Sequence, residues 1–187
     1  MRQLLLLRHA KSIWDEPGLP DHARPLSPRG RRAAVAMAQA MRELGLAPDI
    51  VFVSSSRRTL QTMQAMTPFE DAPLIEPMDT LYLAPWERLL EVIHTVPETA
   101  RGLLLIGHNP GLHELALALA GAAGMAPRGG LGAPAQGHAA TRLAAAFPTG
   151  TLAEFAIASP WRLLEPGGAR LVRYLTPRDL PGGHDPE

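Results

Sequence analysis

The stretch LLLLRHAKS, residues 4–12, places four consecutive leucines directly before an arginine, a histidine and a lysine. A continuous apolar run of this length is typical of a central strand that is covered on both faces. Two further stretches have the same form, DIVFVSS at residues 49–55 and GLLLIGHNPG at residues 102–111. Each apolar run ends in small or polar residues, so the sequence predicts three strands of one buried sheet.

Helical patterns lie between the predicted strands. In SPRGRRAAVAMAQAMRELGL, Ser27 is a suitable N-cap, Pro28 suits the first helical position, and Gly45 would end the helix. Further helical patterns occur in RRTLQTMQAM, APWERLLEVIHTV and NPGLHELALALAG. Strands that alternate with helices predict an α/β fold, a three-layer sandwich whose mostly parallel central sheet carries helices on both faces.

The last third of the chain has a different pattern. Residues 124–138 are rich in glycine, alanine and proline, which predicts a long surface loop. The segments TLAEFAIA and ARLVRYLTP, separated by EPGG, predict two strands that pair as a hairpin at one edge of the sheet. Residues 1–180 are predicted to form a single domain, and residues 181–187 a flexible tail.

The composition excludes several classes of function. The 18 basic and 18 acidic residues balance, so the chain lacks the overall positive field of nonspecific nucleic-acid binders. Cysteine is absent, which excludes disulfides, thiolate catalysis and cysteine-based zinc sites. The leucine run is far too short for a signal segment or a membrane span. We therefore expect a cytoplasmic protein whose partners are neither nucleic acids nor membranes.

Polar side chains follow each apolar run, at the point where ligands bind in open α/β sheets. Two histidines and several arginines, with no carboxylate contributed by the strand ends, suit a phosphate dianion. A neutral imidazole can attack phosphorus while arginines hold the phosphate oxygens, so neither a metal nor another cofactor is expected. The residues that follow the three runs are Arg8, His9, Lys11 and Ser12; Ser54, Ser55, Ser56, Arg57 and Arg58; and His108 and Asn109.

Four motifs in this order resemble those of the histidine phosphatase superfamily. LLLLRHAKS resembles the family's Arg-His-Gly motif, with Ala10 in place of glycine, and RPLSPRG at residues 24–30 resembles its Pro-Leu-Thr-x-x-Gly segment. VSSSRRTLQT resembles Ser-x-x-x-Arg-x-x-Gln-Thr, with Arg58 as the motif arginine, and LIGHNPG resembles the segment of the second histidine. RHAKS, the arginine before PLS and RYLTPRDL fit best with the SixA-like phosphohistidine phosphatase branch.

The resemblance implies a phosphoglycerate mutase-like fold and a mechanism. His9 would be the nucleophile and form a phosphohistidine intermediate that water hydrolyses. Arg8, Arg58 and His108 would bind the phosphoryl group, and Arg24 would complete the pocket. Ser12 and Asn109 are close enough in sequence to be further phosphate contacts. The expected substrate is a protein phosphohistidine.

Many members of the superfamily also carry a carboxylic acid that protonates the leaving group, between the second and third predicted strands. None of the candidates sits in a recognisable motif, and Asp79 is the preferred one. A phosphohistidine nitrogen leaves more easily than an alkoxide, so an acid is less necessary for that substrate. The candidates are Glu70, Asp71, Glu76, Asp79 and Glu87.

Two alternatives remain open from the sequence. The chain could be a phosphomonoesterase for a small phosphate ester, or a domain that binds a phosphorylated partner without turning it over. A monomer is compatible with the sequence, which leaves the oligomeric state open. Lys11 is expected at the rim of the pocket, where its role does not follow from the sequence.

Overall fold

The computed structural model of the chain describes residues 1–14, 16–69, 71–121 and 134–181. In these residues six strands form one sheet, in the order β3-β2-β4-β1-β5-β6. Strands β1 to β4 are parallel to one another, whereas β5 runs antiparallel to both β1 and β6. The strands are β1 (Arg2–Arg8), β2 (Ile50–Ser54), β3 (Leu74–Met78), β4 (Gly102–Gly107), β5 (Leu152–Ile157) and β6 (Ala169–Leu175).

Five helices in the described ranges cover the two faces of the sheet, which confirms the predicted α/β sandwich. They are α1 (Pro28–Glu43), α2 (Arg57–Gln64), α3 (Trp86–His94), α4 (Gly111–Ala120) and α5 (Pro134–Ala145). The side chain of Ser27 caps α1 by accepting a hydrogen bond of 3.0 Å from the Gly30 amide. No helix in this part of the chain is both long and apolar enough to cross a membrane.

The four leucines of β1 explain the two helical layers. All four are fully buried. Leu4 and Leu6 belong to the core on the side of α3 and α4, whereas Leu5 and Leu7 belong to the core on the side of α1. Successive side chains of a strand point to opposite faces, so an unbroken leucine run requires a cover on both. Each buried leucine stabilises the fold by about 1.5–3 kcal/mol relative to an exposed one.

Two elements differ from the sequence-based expectation. Strand β3 lies at the edge of the sheet, where a proline such as Pro77 is tolerated, and its sequence LIEPM lacks the apolar run that marks the central strands. The predicted loop at residues 124–138 is wrong for its last five residues, because α5 begins at Pro134 and is anchored by the buried Leu143. Residues 124–133 of that loop and 182–187 of the predicted tail lie outside the described residues.

Two glycines allow helices to approach the loops at the carboxyl ends of the strands. A Cβ atom at Gly30 would lie 1.9 Å from the carbonyl oxygen of Lys11, and one at Gly111 would lie 2.0 Å from that of Ala84. Any other residue would force the backbones apart. The first turn of α1 therefore packs directly on the loop that follows β1, and that of α4 packs on the loop before α3.

Candidate active site

The carboxyl ends of β1, β4 and β2 are adjacent in the sheet, so the polar residues that follow them meet at one cavity of about 820 Å³. The structure therefore brings together every predicted site residue except Asp79. Lys11 also lines the cavity, with its side chain exposed. The predicted residues that line the cavity are Arg8, His9, Ser12, Arg24, Arg58, His108 and Asn109.

His9 is held in one neutral tautomer. Its Nδ1 atom lies 2.7 Å from the carbonyl oxygen of Ala10. A carbonyl can only accept, so Nδ1 carries the proton and Nε2 keeps its lone pair. Burial lowers the pKa of His9 to about 4, and the positive charges of Arg58 and Arg8 add to this against the opposing effect of the Ala10 hydrogen bond. The imidazole is therefore neutral at neutral pH.

His108 lies beside His9, with 5.2 Å between the ring centroids. A guanidinium nitrogen of Arg58 lies 3.4 Å from Nδ1 of His108, and because a guanidinium only donates, Nδ1 is the acceptor. The proton is then on Nε2, which donates to Oγ of Ser54 at 2.7 Å. Burial, His9 and Arg58 together lower the pKa of His108 to about 3, so this ring is neutral as well.

Two guanidinium groups converge on Asp21. Arg58 donates to the backbone carbonyl of Asp21 at 2.6 Å and to its Oδ2 atom at 2.9 Å. Arg24 donates to Oδ1 of Asp21 at 2.6 Å and, through Nη2, to Oγ of Ser12 at 2.6 Å. The Nε atom of Arg24 donates to the carbonyl of Ile13 at 2.9 Å. Both guanidiniums are thus fixed in position.

Asp21 was missed by the sequence analysis, because it lies in a short 3₁₀ turn and follows none of the three apolar runs directly. Burial raises the pKa of Asp21, but hydrogen bonds from Tyr82, Arg58 and Arg24 outweigh it and lower the pKa to about 2. The hydroxyl of Tyr82 donates to Oδ2 of Asp21 at 2.5 Å. The only sequence signal was the spacing of three residues between Asp21 and Arg24 on one short 3₁₀ turn.

Asp79, the preferred acid from the sequence, is not part of this arrangement. It is exposed in the 3₁₀ turn that follows β3 and does not line the cavity. Glu70, another candidate, lies outside the described residues. Within the described ranges, no group of three or more histidine, aspartate or glutamate side chains is arranged to hold a metal ion.

Arg8 and Asn109 are held by the same backbone group. A guanidinium nitrogen of Arg8 and the amide nitrogen of Asn109 each donate to the carbonyl of Phe147 at 2.9 Å. Phe147 follows α5 and is buried. The segment between α5 and β5 therefore fixes the residues that follow β1 and β4.

Gln61 and Thr62, the Gln-Thr pair that follows Arg58, hold the loops of the site through hydrogen bonds to backbone groups. Oγ1 of Thr62 accepts from the Ala10 amide at 3.0 Å and donates to the carbonyl of Arg58 at 2.7 Å. Oε1 of Gln61 accepts from the Leu26 amide at 2.7 Å. Neither side chain lines the cavity. Helix α2 thus ties the loop that carries His9 to the segment that follows Arg24.

Comparisons with known proteins agree with this geometry. The model of the histidine phosphatase superfamily (branch 1) matches residues 4–81. Uncharacterized protein Rv1276c of Mycobacterium tuberculosis is 36% identical over 172 residues, which are 92% of this chain and 100% of that protein.

Two solved structures are also similar to the chain. The candidate phosphohistidine phosphatase SixA from Nakamurella multipartitia is 30% identical with a TM-score of 0.76, over 93% of this chain and 95% of that one. The candidate SixA from Agrobacterium tumefaciens is 28% identical with a TM-score of 0.75, over 94% of this chain and 98% of that one. The likeness thus covers both the strands that carry the candidate site residues and the antiparallel pair β5 and β6.

Proposed function

Because the chain belongs to the histidine phosphatase superfamily, we propose that it is a phosphatase that removes the phosphoryl group from protein phosphohistidine through Nε2 of His9. The observation that carries the proposal is the hydrogen bond from Nδ1 of His9 to the Ala10 carbonyl, which leaves Nε2 unprotonated. A neutral imidazole with a free lone pair is a nucleophile that needs no base to activate it.

The charge of the cavity suits a phosphoryl dianion. Among the described residues that line the cavity, the three guanidiniums of Arg8, Arg24 and Arg58 lie near one carboxylate, that of Asp21. His9 and His108 are neutral, so the group carries a net charge of two positive units. A phosphoryl group with two negative charges neutralises it and accepts hydrogen bonds from the guanidinium donors.

The reaction has two steps in this proposal. Nε2 of His9 forms a bond to phosphorus while the bond from phosphorus to the substrate's imidazole nitrogen breaks, and the released nitrogen takes a proton from solvent. Water then attacks phosphorus, the bond to Nε2 breaks, and the electron pair returns to His9. The guanidiniums hold the phosphate oxygens in both steps and offset the charge that spreads over them.

The state of Asp21 supports a nitrogen leaving group. Its pKa of about 2 leaves it ionised at neutral pH, so it holds no proton to donate. Alkoxides leave poorly without a proton donor, whereas a phosphohistidine nitrogen needs less help. The two SixA-like structures, each described as a candidate phosphohistidine phosphatase, agree with this substrate.

The experiment compares the wild type with His9→Ala on a phosphohistidine protein and on an alkyl phosphate. The wild type should release phosphate from the phosphohistidine protein, take up a phosphoryl label, and act at least a hundredfold more slowly on the alkyl ester. His9→Ala should lose both activity and labelling while it still binds phosphate. The matched control is His138→Ala, which removes an exposed histidine of α5 outside the cavity.

Each outcome decides between the candidate functions. Full activity of His9→Ala would overturn the mechanism. Equal rates on the two substrates would favour the small-molecule phosphomonoesterase, and binding without turnover by the wild type would favour a phospho-ligand binding domain.

A further inference from the structure

The mouth of the cavity combines exposed apolar side chains with exposed cations. Trp14 and Leu83 line it and are 77% and 52% exposed. Lys11, Arg29 and Arg178 also line it and are exposed. Aromatic and arginine side chains are enriched in protein interfaces. We call these five residues the basic rim.

Leu83 is held in a conformation that its own packing does not explain. Its φ angle is 48°, in the left-handed region that is unfavourable for a leucine. The side chain is half exposed, so little burial offsets this cost. Backbone strain of this kind concentrates at ligand-binding sites. The preceding residue, Tyr82, donates its hydroxyl to Asp21 and thereby fixes Leu83 at the edge of the cavity.

Trp14 is also positioned before any partner binds. Its ring lies over the guanidinium of Arg24, with 3.4 Å between the ring centroid and the Cζ atom. Arg24 is itself buried and hydrogen-bonded to Asp21 and Ser12. The indole is therefore anchored on one side next to the phosphate-binding arginines while most of its surface stays exposed.

The positive charge of this face is local, since the whole chain has a net charge of +0. Asp21 is the single carboxylate among the described residues that line the cavity, and neither Lys11 nor Arg178 forms an ion pair with a described residue. The cations that line the cavity are Arg8, Lys11, Arg24, Arg29, Arg58, Arg142 and Arg178.

The cavity is also larger than a phosphoryl group requires. Its volume of about 820 Å³ is in the range that holds a ligand of drug size. The inner guanidiniums account for the phosphoryl group, so Lys11 and Arg178 of the basic rim are available for further negative charge. Surface carboxylates around a phosphohistidine would provide that charge.

We propose that the basic rim is a docking surface for an acidic protein that presents its phosphohistidine to His9. The inference rests on the proposed function and adds the kind of substrate protein. Trp14 and Leu83 provide apolar contacts, and Lys11 and Arg178 steer the acidic surface toward the cavity.

The experiment uses three probes of increasing size and charge. They are free phosphohistidine, a peptide with phosphohistidine flanked by glutamates, and the same peptide with glutamines. The wild type should show kcat/KM about tenfold higher for the glutamate peptide than for the glutamine peptide at low salt, and the difference should vanish at 1 M NaCl. Equal kcat/KM for the two peptides at low salt would overturn the proposal.

Two variants locate the effect at the rim. Arg178→Glu should lower kcat/KM for the glutamate peptide about fivefold more than it lowers kcat/KM for free phosphohistidine. Leu83→Gly removes the side chain while glycine accepts the φ angle, so the fold is kept, and kcat/KM for both peptides should fall. The matched control is Arg170→Glu, the same charge reversal at an exposed residue of β6 that does not line the cavity.

The results separate this proposal from the proposed function. If Arg178→Glu and Arg170→Glu behave alike on the glutamate peptide, the basic rim is not a docking surface, although the phosphatase stands. If the wild type hydrolyses none of the three probes, the proposed function fails, and the docking role fails with it.

Discussion

Replacing Asp21 by asparagine should tighten the binding of inorganic phosphate. The change keeps the size of the side chain and one oxygen that can accept from Arg24 or Arg58, but it removes the carboxylate that pairs with both guanidiniums. The net charge of the group then rises from two to three positive units. Phosphate and the Asp21 carboxylate compete for the same two guanidiniums, so removing one anion favours the other.

The magnitude follows from distance and screening. Two anions bound to the same guanidiniums are about 5 Å apart, and at an effective dielectric constant of about 20 each pair of unit charges repels by about 3 kcal/mol. The Asp21 side chain is 43% exposed, so solvent screening reduces this to about 1 kcal/mol. The expected result is a dissociation constant for phosphate about fivefold lower than that of the wild type.

Isothermal titration with phosphate measures the effect, and competitive inhibition by phosphate measures it during turnover. Tighter binding should diminish at high salt and should slow product release. Asp79→Asn is the matched control, because Asp79 is exposed and outside the cavity, and its phosphate affinity should equal that of the wild type. Unchanged or weaker phosphate binding by Asp21→Asn would refute the electrostatic argument and would leave Asp21 only the task of orienting the two arginines.

Three further predictions concern protonation and packing. The imidazole signals of His9 and His108 should show no titration in NMR spectra between pH 8 and about pH 5.5, because their pKa values are lowered to about 4 and about 3; a midpoint near 6.5 would contradict this. Because these pKa values are lowered, the unfolded chain binds more protons than the folded chain below about pH 6.5, and the free energy of unfolding should decrease as the pH falls from 6.5 toward 4. In urea titrations at several pH values, this decrease should be smaller for His108→Asn than for the wild type. An equal decrease in the two proteins would be inconsistent with a buried neutral His108. Gly30→Ala should destabilise the fold by about 2 kcal/mol or more, because its Cβ atom would meet the Lys11 carbonyl. Gly137→Ala in α5, where no atom is within 4 Å of the added Cβ, should stabilise the fold by about 0.5–1 kcal/mol in the same urea titrations, and similar effects of the two substitutions would argue against close packing at Gly30.

The sequence predicts those site residues that directly follow the central strands of the sheet. His9, Arg58 and His108 follow strands whose apolar runs can be read from the sequence, and parallel strands place their carboxyl ends at one edge. Asp21 could not be placed this way, since its position depends on tertiary contacts of a loop with Arg58 and Tyr82, which are 37 and 61 residues away in the chain.

Strand β3 and the first turns of helix α5 escaped prediction because they, too, depend on tertiary contacts. Strand β3 carries no apolar run, because an edge strand needs little cover and its pairing with β2 is what makes it a strand. Helix α5 begins in a segment whose alanines and glycines resemble a loop, and the burial of Leu143 against the core stabilises it. In both cases local composition was outweighed by a contact with a distant part of the chain.

The environment of Asp21 also restricts the reactions that the site can perform. An efficient acid has a pKa near the working pH, so the pKa of Asp21 would have to rise from about 2 to about 6 or 7 for Asp21 to protonate a leaving group. Shifts in pKa of that size occur for buried carboxyls. The Asp21 side chain is instead 43% exposed, and it accepts hydrogen bonds from Tyr82 as well as from the arginines. A phosphoryl group that took over the arginine hydrogen bonds would still leave the hydrogen bond from Tyr82. Under the proposed function we therefore expect Asp21 to stay ionised through turnover and substrates whose leaving atom is a nitrogen to be favoured over alkyl esters.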